Sequence, residues 1–170
     1  MMDLKEILKN EHSKQNTLFI VNYITGNSKL IKEIIDIACY ESEVLAQRAS
    51  WVLGLLLPSD RPLILPFVGQ MVQKLNEPKI HNATKRNFIK LFEKIDIPEE
   101  QCCAILDTCL KFLESKSEAI AVKAYSMTVL LNISKKHLEF KREIKLALQM
   151  HVLSESAGVK SRAKKVVNQL

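Results

Sequence analysis

Residues 42–57 read SEVLAQRASWVLGLLL, and related stretches return three times: HNATKRNFIKLF at 81–92, SEAIAVKAYSMTVLL at 117–131 and GVKSRAKKVVNQL at 158–170. Each is an apolar helical pattern with a basic residue at one fixed place. Superposing Arg48, Arg86, Lys123 and Arg162 leaves spacings of 38, 37 and 39 residues. A near-constant period of that length belongs to stacked supersecondary units, because one such unit cannot bury its apolar face alone. The sequence therefore predicts an array of helix pairs and not a single closed core.

The chain between these stretches supports that reading. Hydrophobic residues make up 47% and charged residues 26% of 170 residues, as in soluble globular domains. Only four Gly and five Pro are present, too few for many hairpins or a phosphate loop. Apolar residues recur at helical spacing at 3–11, 13–24 and 28–40, and Thr25-Gly26-Asn27 stops the second of these. Ser42 is placed to cap the next helix. Further first helices are expected at 62–76, from Pro98 to 114, and at 138–153, with second helices at 78–94, 118–134 and 158–170. The domain plan is a single repeat domain over 1–170, with a partial pair at 1–26 and pairs at 27–57, 62–94, 98–134 and 138–170. The fold class is all-α, a right-handed α-α superhelix of about nine or ten helices.

The second helices share apolar columns at i, i+4, i+8 and i+11. Leu45, Ala83, Ile120 and Val159 head the columns, and Ala49, Asn87, Ala124 and Ala163 follow. Asn87, Lys94 and Thr128 interrupt the apolar pattern.

A corner followed by an apolar residue, Arg, Ala and a Leu-rich helix resembles the HEAT-like repeat. Ala46-Gln47-Arg48-Ala49 with Leu53 carries it, and Val122-Lys123-Ala124 and Ser161-Arg162-Ala163 carry it again. The resemblance covers nearly the whole chain. It implies a solenoid whose second helices line the concave side, and it implies little about activity. HEAT-like repeats usually place an Asp about six residues before the Arg, forming a ladder. Here those places hold Ser42, Ile80, Ser117 and Ser156, so the basic column lacks its acid column. RASWVL at 48–53 and AVKAYSM at 121–127 are also similar to short bacterial HEAT-like proteins, some of which bear the name adenylosuccinate lyase. The residues do not support that activity: the lyases are far longer and carry a flexible S-S-x-M-P loop, and no such loop occurs here.

Charge follows helix class. The second-helix segments 42–57, 79–94, 117–137 and 156–170 carry 0, +4, +2 and +4, a net +10, against −3 over the first-helix segments 27–41, 63–77, 99–116 and 138–155. The whole chain carries +6. A groove lined by such helices would attract an acidic protein or peptide, or a nucleic-acid backbone. The bland alternative is a solvated face whose cations pair with local carboxylates. The residues expected to bind are Arg48, Arg86, Lys123 and Arg162, with Lys85 and Trp51 beside them. Trp51 lies three residues after Arg48, on the same side of the helix, and reads either as packing or as an anchor. The expected function is a non-enzymatic scaffold for an acidic partner. The alternative is a nucleic-acid binder, including a DNA glycosylase-like enzyme, for which one Trp and few acids offer little of the pocket a flipped base requires.

Other chemistry has no visible basis in the sequence. No G-x-S-x-G, H-x-x-x-H, G-x-G-x-x-G or G-x-x-x-x-G-K occurs, so no catalytic residue, cofactor or small-molecule substrate is expected. Cys102, Cys103 and Cys109 share one helix but lack zinc spacing, with no His nearby in sequence, so they read as structural thiols and no metal is expected. MMDLKEILKNEH at the start lacks the apolar core of a secretory signal, and no apolar run is long enough to span a membrane. A cytoplasmic location with reduced thiols and no membrane contact is expected.

Overall fold

The computed structural model describes residues 2–153 and 156–170. Among these, ten α-helices and three 3-10 segments form the regular structure, without a strand. Ser154 and Glu155, inside the pair expected at 138–170, and Met1, inside the partial pair 1–26, lie outside the described residues. The chain forms two compact units, Met1–Pro98 and Glu99–Leu170.

The first unit opens with α1 (Leu4–Asn10) and α2 (Lys14–Ile24). Short polar side chains start both: the Asp3 carboxylate accepts from the backbone N–H of Lys5 and Glu6, and Ser13 Oγ accepts from Asn16 N–H. These contacts satisfy amides that a helix start leaves without intrahelical partners. Gly26 ends the pair with φ of 71°, a left-handed turn that glycine adopts without penalty. Asn27 then caps α3 (Ser28–Tyr40). Ile31, Ile34 and Ile35 are fully buried on α3, and burying each contributes about 1.5–3 kcal/mol. The corner is held from a distance by buried Asp60, whose Oδ1 accepts from Gly26 N–H at 2.9 Å.

Next come α4 (Glu43–Gly54), a 3-10 segment (Pro58–Phe67), α5 (Val68–Leu75) and α6 (Asn82–Phe92). Three expectations need correction here. Ser42 does occupy the N-cap position of α4, but its hydroxyl makes no capping hydrogen bond. The α-helix expected over 62–76 is a 3-10 run to Phe67 and is α-helical only from Val68. Pro58, Pro62 and Pro66 stand four apart; each lacks an N–H, and its ring obstructs the carbonyl four residues earlier. The tighter i→i+3 geometry survives that spacing. The helix expected at 78–94 likewise starts only at Asn82, where His81 Nδ1 accepts from Ala83 N–H at 3.1 Å.

The second unit contains a 3-10 turn (Glu99–Gln101), α7 (Cys102–Glu114), α8 (Ile120–Lys136), a 3-10 turn (Leu138–Phe140), α9 (Lys141–His151) and α10 (Ala157–Val167). Within each unit the second helices pack against each other, α4 on α6 and α8 on α10. The apolar columns are buried at Leu45, Ala49 and Leu53 and at Val159 and Ala163. Ile120 departs from them and is exposed, because α8 begins at that residue and its buried face is led instead by Val122, Ser126, Met127 and Leu130. Among the described residues, no helix is long and apolar enough to cross a membrane.

Candidate functional site

In the first unit the basic residues divide into two kinds. Arg48 on α4 is half-buried and sends Nη1 to the carbonyl oxygens of Leu8 and, at 2.9 Å, Lys9. Those carbonyls belong to the last turn of α1, which a helix leaves without intrahelical donors, and a cation there also complements the helix dipole. Trp51, one turn on, is half-buried and meets the His12 ring edge-to-face, with centroids 5.3 Å apart at 87°. Arg48 and Trp51 thus fasten the α1–α2 corner to α4. Arg86 on α6 differs: it is exposed and makes no hydrogen bond or ion pair among the described residues. Lys85 beside it is half-buried and has a partner of its own. Just past α6, Lys94 is held below the ordinary lysine range, first by desolvation and then by the neighbouring charges of Lys90 and Arg61. This end of the unit is a local concentration of positive charge.

The second unit repeats the division. Arg162 on α10 donates from Nη1 to Thr128 Oγ1 on α8 at 3.0 Å, tying the two second helices together. Lys123 on α8 is half-buried and lines a cleft of about 340 Å³ between α7, α8 and α9. Leu110, Leu113, Ala147 and Met150 give this cleft apolar walls, and Lys116, Glu114 and His151 complete it. Burial, and then the Lys123 charge, lower the pKa of His151 below the usual imidazole value. Among the described residues, none of the four column residues Arg48, Arg86, Lys123 and Arg162 pairs with a carboxylate, as Ser or Ile at the usual acid positions leads one to expect.

Two of the three residues that interrupt the apolar columns, Asn87 and Thr128, hold neighbouring second helices together. Asn87 on α6 is buried and donates from Nδ2 to Ser50 Oγ on α4 at 3.1 Å; Ser50 in turn donates to the Gln47 carbonyl at 2.8 Å. Thr128 receives Arg162. Each is a polar link between stacked helices, made where a buried polar group finds its partner. Lys94 lies beyond the end of α6 and is exposed.

One group of residues was missed in the sequence. Cys102 Sγ lies 3.5 Å from His137 Nε2, although the cysteines have no His nearby along the chain. Cys102 opens α7 and His137 follows α8. The antiparallel helices of one pair bring the start of the first to the end of the second, so the readable signal was position within the repeat and not sequence spacing. All four thiols are free, and Cys103 alone is exposed. Burial pushes the Cys39 and Cys109 thiols up to about 12.

Helix pairs whose second helices stack, each fastening the next by a basic or amide side chain, define a helical-repeat protein of the all-α class. The HEAT repeat domain family matches residues 4–170, and the chain belongs to that family. No curated protein matches the chain. Family membership makes it a repeat scaffold of the kind that commonly mediates protein interactions.

Proposed function

We propose that this chain is a non-enzymatic HEAT-repeat scaffold that takes an acidic protein or peptide through cations on its second helices, Arg86 and Lys123 foremost. The observation that carries the reading is the division of labour within the basic column. Arg48 and Arg162 are spent on internal hydrogen bonds, whereas Arg86 is exposed and Lys123 borders an open cleft, neither paired with a carboxylate among the described residues. A guanidinium or ammonium left in this way attracts a carboxylate from a partner. The cleft supports an amphipathic ligand, since Lys116 and Lys123 line it together with the apolar side chains of Leu110, Leu113 and Met150. An acidic segment with one aliphatic anchor would satisfy both.

The test is fluorescence anisotropy with a labelled Glu/Leu peptide, its Lys/Leu counterpart, and single- and double-stranded DNA, each at two salt concentrations. The reading expects the acidic peptide to bind, the basic one not to, and Arg86→Ala or Lys123→Ala to weaken binding several-fold. DNA binding that falls steeply with salt, together with indifference to the acidic peptide, would overturn it in favour of a nucleic-acid binder.

A further inference from the structure

We propose that Glu99, Cys102 and His137 form a divalent transition-metal site, suited to Zn²⁺, at one end of the second unit. One ligand atom from each residue lies within 4.8 Å of the others. Nε2 of His137 is 3.5 Å from Cys102 Sγ and 3.3 Å from Glu99 Oε2. These separations match a tetrahedral ion. With Zn–N and Zn–O near 2.1 Å and Zn–S near 2.3 Å, tetrahedral angles place N and S about 3.6 Å apart and N and O about 3.4 Å apart. One ion could therefore join His137 Nε2 to either of the other two groups at ordinary bond lengths, and the Glu99 side chain, 81% exposed, is free to swing its carboxylate, already within 4.8 Å of the sulfur, into the same sphere.

The remaining ring nitrogen supports the same assignment. Nδ1 of His137 faces Glu139 Oε1 at 3.5 Å. A carboxylate on Nδ1 favours the tautomer that carries its proton there, which leaves a lone pair on Nε2, the nitrogen 3.5 Å from Cys102 Sγ and 3.3 Å from Glu99 Oε2. Histidine ligands of metals commonly use this arrangement, and losing the carboxylate typically costs ten- to a hundredfold in affinity. The site is also built to admit an ion. Cys102 is buried and the His137 side chain is 13% exposed, while the Glu99 side chain is 81% exposed and forms the solvent side. A thiolate, an imidazole and one carboxylate select zinc-like ions over Mg²⁺ or Ca²⁺, which prefer all-oxygen sets. On binding, the Cys102 S–H bond gives way to a metal–sulfur bond and the proton leaves to solvent. Three protein ligands leave a fourth position open, the pattern of sites that hold water or an incoming ligand and not of closed structural ones.

Co²⁺ is the probe, titrated into the full chain after chelator treatment and followed by absorbance. The expected result is one ion per chain, with a sulfur-to-cobalt charge-transfer band and tetrahedral d–d bands, both abolished by equimolar Zn²⁺. Cys102→Ser removes the charge-transfer band, and Cys103→Ser, which alters the exposed neighbouring thiol, leaves it intact. Glu99→Gln and Glu139→Gln, both at exposed side chains and so independent of whether the buried Cys102 variant folds, weaken Co²⁺ at least about tenfold while circular dichroism stays unchanged. Absence of the band in the wild-type chain overturns the assignment. So does a band that survives Cys102→Ser, or an affinity unmoved by both Glu variants.

Discussion

Replacing Arg48 by Ala separates the structural cations from the exposed ones. Its Nη1 serves two carbonyls in the last turn of α1, and a charged donor to a neutral acceptor is worth about 1.5–3 kcal/mol when buried. Arg48 is half-buried, so water replaces part of that, and the two bonds together should be worth about 2–3 kcal/mol to the first unit. Arg86→Ala removes an exposed side chain without a partner among the described residues and should change stability by less than about 0.5 kcal/mol. Trp51 is the only tryptophan and sits one turn from Arg48, packed on His12, so its fluorescence in urea reports this unit directly. With a urea slope of about 2 kcal/mol/M, Arg48→Ala should lower the midpoint by roughly 1–1.5 M, and Arg86→Ala by less than about 0.3 M. Arg48→Lys keeps the charge but offers a compact ammonium in place of the fork, and should recover part of the loss. Equal midpoints for Arg48→Ala and the wild type, or an Arg86→Ala loss as large as that of Arg48→Ala, would refute the division of the basic column.

Two more outcomes follow from the same contacts. Asn87→Ala deletes the buried link to Ser50, whose own donor is still satisfied by Gln47, and should cost about 1–2 kcal/mol by the same fluorescence assay, while Asn87→Asp, which buries a charge, should cost more. His151, held low by burial and then by Lys123, takes up fewer protons folded than unfolded once pH falls below about 6.5. Its stabilising contribution is therefore complete above that pH and is lost as pH falls towards its folded pKa. An NMR titration should find the His151 pKa below the usual value and rising part-way back in Lys123→Gln, burial accounting for the rest.

The repeat period was written in the sequence because burial of an apolar face recurs wherever the same unit recurs. Every pair must present Leu45, Ala49 and Leu53, or their counterparts, to its neighbour, and this periodicity survives changes in almost everything else. Helix starts at Asp3, Ser13 and Asn27 were equally local, since a cap is decided by residues three positions apart. The 3-10 run was also encoded locally, in Pro58, Pro62 and Pro66, but the apolar period over 62–76 hid it. The candidate binding residues could be named from the sequence but not sorted. Arg48, Arg86, Lys123 and Arg162 occupy one register position, yet two are consumed internally because a carbonyl pair or a hydroxyl from another element comes within reach.

What the sequence alone determined is the all-α class, the helix-pair period, the basic bias of the second helices and the absence of an acid column beside them. These depend on composition at fixed spacing, and spacing along a helix is geometry that the chain carries with it. Tertiary structure alone decided which cations are tied up in internal hydrogen bonds, why Asn87 and Thr128 interrupt apolar columns, and that Cys102 meets His137 across 35 positions. Those outcomes turn on distances of a few ångströms between elements. Such distances arise only when antiparallel helices close on one another, and no periodicity along a single helix records them.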